Sequence, residues 1–257
     1  MFWGNIYLIK LALFHSDFWY NSSMHDFKSR ATNPQQYDSP ELDWRVTGGA
    51  NDPSRKFFRE HLVSVLEDLK GKSVLDIGSG VGQLFVTLQK LGASDIQGIE
   101  PSQRNAEHSR SLHPNVVVHH TTLQDFVSPK LFDVAVCIMA FENILDIDDA
   151  FARVSNLIKP TGNFYLIIGD KGYNTQSRVS SKGIQRTVSV QELGNGVVAT
   201  KTLYGETTSY DIFRPLEAVL NAAKESALNL ERQVGLNNSK GDLVFHLLIF
   251  KRVGLNG

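Results

Sequence analysis

The run Ser73-Val-Leu-Asp-Ile-Gly-Ser-Gly-Val-Gly-Gln83 sets three glycines, Gly78, Gly80 and Gly82, at alternate positions directly after an apolar, strand-like stretch. Glycine lacks Cβ and tolerates positive φ, so a turn built this way lets the backbone come close to a ligand. A helix expected to start at Gly82 would present unpaired N–H groups to an anion. Glu100 closes the next apolar run. An acidic side chain at the tip of a second parallel strand can accept hydrogen bonds from both hydroxyls of a ribose. The spacing is that of a nucleoside-binding crevice in an open α/β sheet. For any one of these glycines taken alone, an ordinary tight turn is the competing reading.

A dinucleotide fingerprint, G-x-G-x-x-G, would need a glycine at position 83, where this chain has Gln83. The alternate glycines after an acidic residue instead resemble motif I of the class I S-adenosylmethionine-dependent methyltransferases, and the resemblance runs from about Lys72 to Asp170. It implies that Asp76, Gly78, Ser79, Gly80, Gly82 and Gln83 line the methionyl part of S-adenosylmethionine, and that Glu100 binds the ribose hydroxyls. Pro101 falls where the family packs a side chain on the adenine. In Thr121-Thr-Leu-Gln-Asp-Phe126 the resemblance points to Thr122 and Leu123 as adenine contacts, with Asp125 as the competing choice. Ala140, at the tip of the run Phe132 to Met139, would leave room for the sulfonium. Many relatives read Glu-His where this chain has Glu142-Asn143. A neutral amide cannot act as a general base, so a scheme resting on that histidine does not transfer.

The resemblance implies a Rossmann-like, mostly parallel seven-stranded sheet with helices on both faces and an antiparallel last strand. The order of elements gives the same α/β class independently, since strand-like and helical patterns alternate from Asp52 to Asp170. A helix is expected from about 53 to 69, strands near 73–77, 96–100, 116–119, 132–138 and 163–169, and helices at 82–91, 102–112 and 147–158. After Asp170 two β-rich runs, 186–193 and 197–204, flank Gly194-Asn195-Gly196 and predict a hairpin added after the fifth strand. A helix near 215–227 and strands near 230–235 and 243–251 complete the chain. The organisation expected is an apolar segment and lid-like loop over 1–52, then a methyltransferase domain over 53–257 with a substrate-side insert at about 171–213.

With 257 residues, 42% hydrophobic and 21% charged, the chain has room for one α/β domain with additions. Its net charge of −1 and lack of a Lys/Arg cluster argue against a nucleic-acid partner. One cysteine, Cys137, excludes an internal disulfide, and no Cys/His spacing suggests a metal. A reducing, cytoplasmic location is the simplest reading. The apolar start, Met1 to Phe14 with Phe18, Trp19 and Tyr20, is too short to span a bilayer, which takes about 20 apolar residues. It suits a helix packed on the domain or on the partner of a homodimer. Membrane-surface contact and an extension preceding Met24 are the other readings.

Substrate contacts are expected from Tyr37 and Trp44 in the lid-like loop, from Glu142 and Asn143, and from Tyr173 in the turn Asp170-Lys-Gly-Tyr-Asn174. Asp170, Tyr204, Tyr210, Asp211 and Arg214 are further polar candidates in the variable region, with His119 and His120 nearer the adenine end. No catalytic base stands out. In-line methyl transfer asks mainly for alignment, which can supply ~7 kcal/mol or more. The expected activity is methyl transfer from S-adenosylmethionine to oxygen, nitrogen or carbon of a small molecule. A non-catalytic assembly module and a nicotinamide-dependent oxidoreductase are the alternatives.

Overall fold

Strand β1 (Ser73–Ile77) is buried along almost its whole length because it is an inner strand of a sheet covered on both faces. A computed structural model describes residues 27–38, 53–179 and 183–254. The described residues open with a helical turn, α1 (27–31), and a 3-10 helix, Pro34–Asp38. Helix α2 (Pro53–Val63) precedes β1, and α3 (Phe85–Lys90), β2 (Asp95–Ile99), α4 (Gln103–Leu112), β3 (Val117–His119) and β4 (Phe132–Ile138) follow it. After β4 come a 3-10 turn (Phe141–Asn143), α5 (Ile147–Leu157), β5 (Ile158–Gly169) and the short α6 (Lys171–Asn174). The insert contributes β6 (Arg178–Val179), β7 (Gln185–Gly194), β8 (Val197–Tyr204) and β9 (Thr207–Phe213). Helix α7 (Leu216–Glu225), β10 (Leu228–Asn237) and β11 (Leu243–Arg252) close the described chain.

The main sheet has seven strands in the order β10-β11-β5-β4-β1-β2-β3. Its neighbours are parallel except β11, which runs antiparallel to both β5 and β10. From β1 the chain moves outward through β2 and β3 and then returns to the opposite side of β1 as β4. That reversal opens a crevice at the carboxyl ends of β1 and β4, the place where open α/β sheets bind ligands. Alternate residues of the strands feed two cores. Leu75, Ile77, Ala135, Cys137, Leu166 and Phe250 pack with Phe151 and Val154 of α5 and Val219 and Ala223 of α7. Val74, Val134, Val136 and Ile249 pack with Phe58, Leu62, Phe85, Leu88 and Ala106 on the other side.

Three expected boundaries shift, and the insert has more strands than the expected hairpin. Helix α2 ends at Val63, not Leu69, because Ser64 donates its hydroxyl to His61 O and Val65 N–H turns to Leu62 O, tightening the last turn. The chain then carries Leu69 in extended form into the core, where it is fully buried. Helix α3 starts at Phe85, not Gly82, since Gly82 has φ +79° and cannot continue a right-handed helix. Strand β5 begins at Ile158, and its register with β4 shifts between Phe132 and Val134. The added hairpin is the centre of a four-stranded antiparallel sheet, β6-β7-β8-β9. Its third long strand, β9, has a Thr-Thr-Ser start whose polar alternation does not read as half-buried.

Phe151 is fully buried and meets the rings of Phe141, Phe164 and Phe250 at centroid distances of 5.1, 6.2 and 5.7 Å. Phe151→Ala is expected to cost about 3–5 kcal/mol in urea unfolding, through lost burial and the cavity left among these rings.

Candidate active site

The three glycines of the turn all adopt left-handed φ, +69° at Gly78, +56° at Gly80 and +79° at Gly82, which explains their alternation. Their surroundings differ. A Cβ on Gly78 would lie 2.4 Å from Ala140 Cβ, so this glycine lets the turn press on the tip of β4. A Cβ on Gly82 would fall 2.6 Å from both Phe85 and His113. Gly80 has nothing within 4 Å and faces open space. Ser79 is engaged inside the turn: its N–H donates to Ile99 O, its carbonyl accepts from Gly82 N–H, and its hydroxyl lies against Gly98. Gln83 is half-buried in the last part of the turn.

Two carboxyl groups lie beneath this turn. Asp76 near the end of β1 is 3% exposed, and burial together with neighbouring Glu100 raises its pKa to about 8. Glu100, directly after β2, accepts Gly80 N–H at 2.8 Å and Ser102 N–H at 2.9 Å. Burial raises its pKa, against the pull of these hydrogen bonds. The Asn105 side chain adds a third bond, so of about four acceptor positions this carboxylate keeps one for a hydroxyl donor. Ser102 is the N-cap of α4, accepting Asn105 N–H, and it donates its own hydroxyl to Asp38 at 2.6 Å. Pro101 is half-buried between Glu100 and this cap, and His120 Nε2 lies 3.2 Å from its carbonyl.

Past β3, Thr122 donates its hydroxyl to Asp125 at 2.7 Å and accepts Asp125 N–H, so these two residues close one turn. Leu123 is 4% exposed and sends its side chain into the core. His119 pairs with Gln97. At the tip of β4, Ala140 precedes the 3-10 turn holding Glu142 and Asn143. Glu142 is 3% exposed and accepts Gly169 N–H at 2.7 Å, and burial raises its pKa to about 7. Cys137, fully buried in β4, has its thiol pushed well above the usual range by burial and is held neutral.

Asn143 joins three parts of the chain. Its Nδ2 donates to Ala31 O at 3.0 Å and to Tyr210 O at 3.2 Å, while its Oδ1 accepts the Tyr37 hydroxyl at 2.7 Å. The segment 27–38 is therefore strapped across the carboxyl edge of the sheet. Gln36 accepts Tyr210 N–H, Arg30 donates to the Tyr210 hydroxyl, and Asp38 accepts Arg104 N–H at the start of α4. Tyr37, itself part of this strap, is half-buried, and burial together with Asp211, Glu142 and Glu100 lifts its phenol well above the usual value. Trp44 lies outside the described residues, as do the apolar residues 1–26. Tyr173 is placed elsewhere: its ring stacks under Arg178 at 3.7 Å and its hydroxyl accepts from Asn238. These contacts tie Tyr173 to β6 and to the turn before β11.

Sequence reading missed Asp38 and the clamp made by Asn143, because partners 64 to 112 residues away leave no local signal. Among the described residues no group of three or more His, Cys, Asp or Glu side chains is arranged to hold a metal, and no helix is long and apolar enough to cross a membrane.

A family model described as "Methyltransferase domain" matches residues 53–182. The ubiquinone biosynthesis O-methyltransferase of Bradyrhizobium diazoefficiens is 34% identical over 112 residues, 42% of this chain and 43% of that protein. The enzyme of the same name from Neisseria meningitidis serogroup C is 31% identical over 103 residues, 37% of this chain and 43% of that protein. The matched part thus spans less than half the length of these curated relatives. An S-adenosylmethionine-dependent methyltransferase from Mesorhizobium loti superposes with a TM-score of 0.59 at 18% identity, covering 80% of this chain and 100% of that one. Magnesium protoporphyrin IX methyltransferase from Synechocystis PCC 6803 gives 0.60 at 13% identity, covering 88% and 97%. At these identities the structural likeness speaks for the fold.

The glycine surroundings predict a graded mutation series. Gly78→Ala and Gly82→Ala are expected to lose about 2–4 kcal/mol in chemical denaturation, from strained φ plus a steric clash. Gly80→Ala should lose only about 1–2 kcal/mol, from φ alone. Asn143→Ala strands Ala31 O, Tyr210 O and the Tyr37 hydroxyl, and is expected to cost about 1–3 kcal/mol. Hydrogen exchange should then rise in residues 27–38 ahead of the main sheet.

Proposed function

The chain belongs to the methyltransferase-domain family, and on that premise we propose that it transfers the methyl group of S-adenosylmethionine to a small-molecule acceptor. One observation carries the reading: the turn opens at Gly80 above two buried carboxyl groups, Asp76 and Glu100, at the tips of adjacent parallel strands. The residues suit the cofactor. Gly80 leaves space for backbone approach, Glu100 keeps an acceptor position for a ribose hydroxyl, and an acidic floor that can ionise suits a ligand bearing a sulfonium and an ammonium. Asp76, Gly78, Gly80, Gly82 and Gln83 would border the methionyl part, with Ser79 shaping the turn from within. Pro101, Thr122 and Leu123 would border the adenine, and Ala140 the sulfonium. The curated relatives are named as O-methyltransferases, which favours a small-molecule acceptor for this chain.

When bound, S-adenosylmethionine supplies an electrophilic methyl group. The protein's part is to align and exclude water. The glycine turn pressed on Ala140 fixes the distance between the tips of β1 and β4, and the strap over 27–38 covers the edge where the acceptor would approach. Asn143 is engaged in holding that strap, so an amide in place of the relatives' histidine has a positioning use and does not by itself argue for a module without activity.

The charge on the floor gives a pH signature. Asp76 has a folded pKa of about 8 against 3.8 unfolded, so the folded state binds the extra proton and its stability falls as pH rises between those values. A cationic ligand favours the ionised carboxylate and reverses this trend. In calorimetry, S-adenosylmethionine and S-adenosylhomocysteine are expected to bind in the micromolar range and NAD not at all. The affinity ratio of the first to the second should rise between about pH 6 and 8, by up to about tenfold per unit, with proton release for the sulfonium. Tight NAD binding would overturn the reading. Failure of both sulfur nucleosides to bind would leave the assembly module.

A further inference from the structure

The insert turns one face toward the carboxyl edge of the main sheet. Residues paired across antiparallel strands share a face, so Arg178, Arg186, Thr202, Asp211 and Phe213 lie on one side of the insert. Phe213 on that side rests over Gly169 at the end of β5, where a Cβ would fall 2.7 Å from its ring. The other side, with Ala199, Tyr210 and Ile212, packs on Phe27 and Ala31 of the strap. The first side is therefore the inner one, and it carries two arginines.

Arg178 and Arg186 are direct partners in the β6–β7 ladder, and both are half-buried. Like charges placed opposite one another destabilise a strand pair. What holds them there is backbone and ring. Arg178 donates Nη1 to Tyr173 O at 2.8 Å, and its guanidinium lies 3.7 Å from the Tyr173 ring centroid. Arg186 donates to Gln176 O and Asn174 O, each at 2.9 Å, and to Thr202 Oγ1 at 3.4 Å. Asn174 in turn donates its Nδ2 to Asp170 O and Val244 O, which fastens the pair to the segment leaving β5. Among the described residues no carboxylate comes within ion-pair distance of either guanidinium. Asp242 acts on Arg178, and Asp211 on Arg186, only from farther away, and these carboxylates bond to Asn238 and Ser209. Burial and the neighbouring Arg178 lower Arg186 to about 10, which still leaves it cationic at neutral pH. A guanidinium carries five N–H donors, more than these bonds use.

We propose that Arg178 and Arg186 bind an oxyanion, a carboxylate or a phosphate monoester, carried by the methyl acceptor. The proposal rests on the methyltransferase reading and names the class of its acceptor. Planar guanidinium forks match the paired oxygens of either anion, and an anion between them turns their repulsion into charge-assisted contacts. The Tyr173 ring sets the plane of Arg178, and the carbonyls after α6 set Arg186. The anion serves as an anchor at one end of the acceptor. No bond forms or breaks at the arginines, and the methylated atom lies elsewhere on the molecule.

The test titrates the whole chain, saturated with S-adenosylhomocysteine, with benzoate, phenyl phosphate, inorganic phosphate and benzyl alcohol in a calorimeter near neutral pH. The tighter of the two aromatic anions should bind at least about tenfold better than benzyl alcohol, a difference of ~1.4 kcal/mol, and its identity tells carboxylate from phosphate. Inorganic phosphate, which lacks an acceptor body, should bind more weakly than phenyl phosphate. Arg178→Gln and Arg186→Gln should each remove most of the preference for the anion, and Arg178→Lys should keep part of it, while affinity for S-adenosylhomocysteine stays unchanged. Arg178→Gln gives up one backbone hydrogen bond and reads the site even where Arg186→Gln unfolds. Equal or tighter binding of benzyl alcohol, no binding of either aromatic anion at millimolar concentration, inorganic phosphate matching phenyl phosphate, or an unchanged preference in Arg178→Gln would overturn the proposal. The same titrations without the nucleoside keep the two readings apart: failure to bind S-adenosylhomocysteine sinks the methyltransferase reading, whereas loss of the anion preference sinks this site alone.

Discussion

The arrangement depends on one buried carboxylate, Glu100, holding two backbone amides that come from different places. Gly80 N–H reaches it from the turn after β1 and Ser102 N–H from the start of α4. The bonds fix the glycine turn over the end of β2, while Gly78 leaves it free to press against Ala140 at the end of β4. Charge-assisted bonds of this kind are stronger than neutral ones, and their burial removes competition from water. The turn therefore holds an open shape without relying on a ligand.

Around that anchor the protein accumulates acid groups at the carboxyl edge of its sheet. Asp76, Glu100, Glu142 and Asp211 all have pKa values raised chiefly by burial, so folding works against their ionisation. Burying such groups costs stability, offset in part by Arg214 acting on Glu142 and Arg186 on Asp211. Elsewhere the opposite logic holds. Asp133 is held to about 2 by Lys159 and by the amide and hydroxyl of Ser73, a fully partnered carboxylate at the far end of β4 that ties strands together.

The cover over the crevice is assembled from distant chain segments. Asn143 bonds the strap at Ala31 and Tyr37 and the insert at Tyr210, and Phe27, Ala31, Ala199, Tyr210 and Ile212 form a small apolar cluster behind it. Asp38 extends the same strap to the N-terminus of α4, where its carboxylate accepts both Ser102 Oγ and Arg104 N–H. The strap thus joins the start of α4 at one end to the turn after β4 and the insert at the other.

Strand and helix order, the parallel sheet and the glycine turn were legible in the sequence because they rest on local signals: apolar periodicity, left-handed positions that need glycine, and an acidic residue at a strand tip. Glu100 could be singled out on that basis, but not that two amides would already hold it. The same limit applies to Asn143, read as a lost histidine and found as a clamp, and to Tyr173, whose contacts with Arg178 and Asn238 no local pattern announces. The third long strand of the insert was hidden because its Thr-Thr-Ser start carries no apolar alternation. Hydrogen bonds across long sequence separations, and the burial that shifts a carboxyl from 3.8 to about 8 at Asp76, exist only once the chain has closed on itself. The one-dimensional pattern determines which elements form and where backbone must bend, and the tertiary structure decides which polar groups are left facing the crevice without partners.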